Sequence, residues 1–80
     1  MPTVLRHGPY RFYFYSHEPH ESAHVHVDRD DASAKFWLGP VGLARNFGFR
    51  PHELRQLERL VTEHRRELLE EWHGYHRDES

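Results

Sequence analysis

The run His24-Val25-His26-Val27-Asp28-Arg29-Asp30-Asp31-Ala32-Ser33-Ala34-Lys35-Phe36-Trp37-Leu38 decides the fold of this chain. Its two ends alternate with a period of two: Val25 and Val27 against His24 and His26, then Ala34, Phe36 and Leu38 against Lys35 and Trp37. Such alternation marks strands with one apolar and one polar face. Asp28 to Asp31 reads as the turn between them, so residues 24–27 and 34–38 are expected to pair as antiparallel neighbours. The parity puts Val25 and Val27 in the core. It turns His24 and His26 together to the polar face, with Cα atoms roughly 6.5 Å apart.

Toward the N-terminus, residues 3–6 and 10–15 read as two further strands joined at His7-Gly8-Pro9, where glycine permits a tight turn and proline cannot continue a ladder. Tyr10, Phe12 and Phe14 share one face of the second strand, and Arg11, Tyr13 and Tyr15 share the other. Gly39-Pro40 ends the central run. Residues 41–46 satisfy neither the strand nor the helix template for long, and an extended segment is the preferred reading.

From Pro51 the period changes to 3.6. Leu54, Leu57, Leu60, Val61, His64, Leu68, Leu69, Trp72 and Tyr75 recur at spacings of three and four, which predicts one helix over residues 51–74. Pro51 suits the first helical position, Glu53 complements the positive end of the dipole, and Gly74 is the expected stop. Arg50 offers no acceptor at the N-cap, a deficit of about 1 kcal/mol. Leu60, Leu69 and Tyr75 widen the apolar stripe beyond what a small sheet covers, so a protein partner or a second copy is expected to dock on this helix. The Arg65-Arg66-Glu67 and Glu70-Glu71 runs read as a solvated face. The fold class is therefore α+β: a single domain over residues 1–80, β-rich over 3–46, with an antiparallel sheet of four to five strands packed against one long C-terminal helix.

Eighty residues give a thin core, since a chain of this size buries only about 60–65% of its unfolded surface. No cysteine is present, which excludes disulfides and thiolate zinc sites and fits a reducing cytoplasm. Five Phe, four Tyr and two Trp supply large buried areas instead. The formal charge of −2 would swing positive if the nine histidines were protonated. Lys35 is the only lysine among eleven Lys and Arg, and the arginine bias suits carboxylate or phosphate, so RNA or an acidic partner is allowed. Nothing approaches the roughly 18 apolar residues of a membrane span, and the N-terminus lacks a signal-peptide layout. A cytoplasmic protein with no membrane partner is expected.

His17, Glu18, His20, Glu21, His24 and His26 concentrate titratable groups in one stretch. Three readings compete. As a metal site, His24 and His26 with His17, His20, Glu18 or Glu21 would hold a divalent ion such as zinc; no other cofactor is expected. As a ribonuclease-like site, His24 and His26 would serve as acid and base, with Arg11, Arg29 or Arg45 holding phosphate and Tyr13, Tyr15 or Trp37 stacking on a base. As an interaction module without catalysis, the histidines would be half-exposed strand residues.

Residues 2–16, His24-Val25-His26-Val27, Ala34-Lys35-Phe36-Trp37-Leu38 with Pro40-Val41, and Pro51-His52-Glu53-Leu54, in that order, closely resemble a family of small bacterial proteins called domain of unknown function 4160. The resemblance covers almost the whole chain. It implies one half of a toxin–antitoxin type pair whose partner is a second small protein encoded nearby. The His/Arg/aromatic face itself is read as acting through protein or RNA binding. His24, His26, Lys35, Trp37, Arg45 and Asn46 match the polar part of the pattern, and Glu53 matches the helix start. Two departures stand out: Ser22-Ala23 stands where Pro-Pro usually introduces the histidines, and Arg50 replaces a small capping residue.

Overall fold

Alternation along five short segments builds a meander. The computed structural model describes residues 3–15 and 21–76, in which β1 (Thr3–His7), β2 (Tyr10–Tyr13), β3 (His24–Arg29), β4 (Ala32–Leu38) and β5 (Val41–Phe47) form one sheet in sequential order. All four pairings are antiparallel. Val25, Val27, Phe12, Ala34, Phe36 and Leu38 are buried on one face, as their parity predicts. There they meet Leu57, Val61, Leu68 and Trp72 from the helices.

The turns are tighter than the composition implies. Arg29 pairs with Ala32, so the β3–β4 connection is Asp30-Asp31 alone, and Asp28 and Arg29 belong to the strand rather than to the turn. Asp30 takes φ 52, a conformation its short polar side chain tolerates. β1 and β2 join through Gly8-Pro9 with Gly8 at φ 59. The ambiguous segment after Pro40 is a full strand. Its template fails because the register shifts opposite Lys35 and Phe36: Leu43 pairs with Phe36 and Arg45 with Lys35, leaving Ala44 as the extra residue. A bulge of this kind sends two residues that share parity to opposite faces.

Beyond β5 the chain turns over Gly48 at φ 93. Asn46 clamps this turn from both sides, accepting from the Phe49 N–H and donating to the Phe49 carbonyl, each at 3.1 Å. A Cβ added at Gly48 would sit 3.3 Å from the Ala32 Cβ. Gly48→Ala is therefore expected to lower unfolding free energy by about 1–2 kcal/mol, from strain at positive φ plus crowding against β4, as read by urea denaturation.

The single long helix expected over residues 51–74 is instead two: α1 (Pro51–Glu63) and α2 (Arg65–His76). His64, at φ −103 and ψ 11, marks the joint. The backbone bonds from His64 to Leu60 and from Leu68 to His64 persist across it, so the joint is a kink rather than a gap. Thr62 Oγ1 donates to the Glu58 carbonyl at 2.8 Å, a back-bond that bends helices. Beyond the kink Arg65 Nε donates to the Leu38 carbonyl at 2.6 Å, tying α2 to the end of β4. Gly74 does not stop the helix. It lacks the positive φ of a C-terminal cap and is carried within α2.

The kink also alters the reading of the apolar stripe. Leu60 is 8% exposed, and Leu69 packs partly buried against the core, so the bent helices use both internally. Among the described residues the exposed large apolar side chains are Leu43 and Phe47, and both belong to β5. No helix among the described residues is long and apolar enough to cross a membrane.

Candidate functional site

With both helices on one face, the other face of the sheet carries Arg11 and Tyr13 of β2, His26 and Asp28 of β3, Ser33, Lys35 and Trp37 of β4, and Arg45 of β5. Tyr13 pairs with His26, His26 with Lys35, and Lys35 with Arg45, which makes a single rung across β2, β3, β4 and β5. At the usual strand spacing this rung spans roughly 14 Å. Tyr13 stacks on His26 at 5.4 Å between ring centroids and 19° between planes, while Tyr15 meets the same imidazole edge-on at 4.5 Å. Tyr13, Tyr15, His26, Ser33, Lys35, Arg45 and Phe47 line a cavity of about 180 Å³. Phe47, opposite Ser33, is 60% exposed.

The cations on this face differ in what surrounds them. Arg11 donates to Asp28 at 3.3 Å and lies 4.8 Å over the Tyr13 ring. Lys35 Nζ is 2.6 Å from a Glu21 carboxylate oxygen and 4.7 Å from the Trp37 ring centroid. Arg45 is exposed and has no hydrogen bond or ion pair among the described residues. Tyr13 donates to Asp28 at 3.0 Å. Burial first, then hydrogen bonds with Tyr15 and Asp28, push its phenol well above the ordinary tyrosine value, so it remains a neutral donor.

The two histidines differ more than their parity suggests. His26 borders the cavity, but His24 is 0% exposed. Trp72 of α2 lies 4.7 Å from the His24 ring, Trp37 lies 5.8 Å from it, and His26 lies 5.1 Å away nearly perpendicular. His24 Nδ1 is 2.8 Å from the Ser22 carbonyl; because a carbonyl only accepts, Nδ1 carries the proton. The expectation of a half-exposed His24 is thus corrected. Its strand end lies under α2, and an enclosed imidazole cannot share a scissile phosphodiester with His26.

Of the proposed metal ligands, His17, Glu18 and His20 lie outside the described residues; among the described ones Glu21 is engaged by Lys35, and no group of three ligating side chains converges. Of the proposed binding residues, Lys35, Trp37 and Arg45 share the open face. Arg11 is on it beside Asp28, and Asn46 falls on the opposite parity, with its amide committed to Phe49. Ser33 and Phe47 escaped the sequence reading. β4 begins at Ala32, which extends the Ser33-Lys35-Trp37 alternation, whereas the bulge at Ala44 hides the alignment of Phe47.

The family model described as domain of unknown function (DUF4160) matches residues 10–73, which span all of this face from β2 onward. No curated protein matches the chain, and no solved structure matches it.

Proposed function

The chain belongs to the DUF4160 family, and we propose that the open face of its sheet binds single-stranded RNA in the cytoplasm, as one component of a toxin–antitoxin type pair. The observation that carries the reading is the rung of Tyr13, His26, Lys35 and Arg45 with Phe47 at its rim. Splayed bases are recognised by stacking on exposed rings, and phosphates by cations beside them. Phe47 supplies the exposed ring, and Arg45 supplies a guanidinium with no carboxylate partner among the described residues. Ser33 adds a hydroxyl within the same cavity, suited to a 2′-hydroxyl. The pairing with a neighbouring gene product rests on the resemblance alone.

Fluorescence anisotropy with a short labelled RNA, from low to moderate salt, tests the reading. Phe47→Ala is expected to weaken binding about tenfold, as loss of one stacked base does. Arg45→Ala should reduce the slope of log affinity against log salt by roughly 0.7, the share of one single-strand phosphate contact. Wild-type protein that fails to bind at low salt, or variants indistinguishable from it, would remove the proposal. Shortened RNA in the same mixture, dependent on His26, would favour the hydrolase alternative. Growth arrest on expression, relieved by the neighbouring gene, tests the module role.

A further inference from the structure

We propose a second base-binding position on the same face, formed by Trp37 and left open by Gly42, so that the sheet takes two splayed bases of a single-stranded RNA with a phosphate at Arg45 between them. This rests on the RNA-binding reading. Trp37 pairs directly with Gly42 across β4 and β5. Ser22, Trp37, Gly39, Pro40, Val41 and Gly42 line a cavity of about 340 Å³ beside this pair. Two common reasons for a strand glycine do not hold at residue 42. Its φ is not in the left-handed region, and nothing lies within 4 Å of where a Cβ would stand. A glycine costs a strand stability, and here its effect is to leave space beside the indole.

The spacing fits an extended single strand. The Ser33–Phe47 and Trp37–Gly42 rungs are separated by four residues of β4, roughly 13 Å, with the Lys35–Arg45 rung between them. That separation far exceeds the about 3.4 Å rise between stacked bases in a duplex strand. Bases held at both ends would be unstacked from one another, as sequence-reading of single strands requires. Ring, cation and ring therefore alternate along one strip, and Arg45, without an ion-pair partner among the described residues, stands where the linking phosphate would pass.

Gly42→Val tests the position, because valine suits a strand and fills the space beside Trp37. Against the same labelled RNA it is expected to weaken binding at least fivefold while leaving the salt slope at the wild-type value, since Arg45 is untouched. Wild-type protein should show RNA-dependent quenching of tryptophan fluorescence, lost in Gly42→Val; the second tryptophan, Trp72, is buried against the core. Trp37→Leu gives the same loss of affinity without adding bulk, should the valine disturb folding. If RNA binds in a manner dependent on Phe47 and Arg45, yet neither substitution weakens it and fluorescence is unchanged, the second position is overturned and the first reading stands. If wild-type protein binds no RNA, both fall.

Discussion

Trp72→Ala is expected to be the most damaging single substitution in the helices, lowering unfolding free energy by about 3–5 kcal/mol. At about 4–8 °C per kcal/mol for a domain of this size, the melting temperature should fall by more than about 10 °C. Trp72 is 5% exposed and touches two different parts of the molecule. It meets Phe14 edge-on at 5.4 Å on the core side and lies 4.7 Å from His24 at the end of β3. Alanine leaves a cavity against Phe14 and removes the covering of His24 together. Calorimetry gives the first effect. Reaction of His24 with diethyl pyrocarbonate, absent in the wild type and present in the folded variant, gives the second. A loss below about 1 kcal/mol would mean that α2 does not hold its place over the sheet.

The same contact explains why the sheet was legible in the sequence and the histidine pair was not. Alternation is a local property, so residues 24–38 disclosed the central hairpin and placed His26, Lys35 and Trp37 on one face. Burial at a strand end is not local. His24 is enclosed because α2 crosses that end and Arg65 ties α2 to the Leu38 carbonyl, neither of which period or spacing encodes. The kink at His64 has no sequence breaker, neither proline nor glycine, and follows the Thr62 back-bond, which bends helices. Arg45 was named for its charge, but its alignment with Lys35 depends on the bulge at Ala44, which an alternation count reads as a loss of pattern. Phe47 lies one residue beyond the expected strand and is 60% exposed on the face.

The second large effect is expected at Glu53, where the helix start is tied to the sheet. Arg50 has no side-chain acceptor, so the cap is made from the other direction, with Glu53 Oε1 accepting the Arg50 N–H at 3.4 Å. The same carboxylate takes Tyr10 Oη at 3.3 Å and Arg29 Nη2 at 2.9 Å, joining β2, β3 and α1. Burial pushes the Glu53 carboxyl upward, but the Arg50 N–H, the Arg29 charge and the hydrogen bonds from Tyr10 and Arg29 outweigh it and hold the group below the usual carboxylate range. A carboxyl lowered in the folded state stabilises fully above its unfolded value of about 4.3, and that stability is lost as pH falls through the folded value. Urea midpoints measured from neutral pH to about pH 3 should therefore decline for the wild type. Glu53→Gln should start lower and decline less. The neutral-pH loss should be large because Arg29, packed 5.4 Å over Phe49, already has a buried Nε without a hydrogen-bond partner among the described residues; without Glu53 its charge keeps, among those residues, only the exposed Asp30. Arg66→Ala, which breaks the exposed pair with Glu70 at 3.7 Å, serves as control and should leave the midpoint unchanged. An acid limb in Glu53→Gln as steep as that of the wild type would assign the pH dependence to other carboxylates and reduce Glu53 to a helix cap.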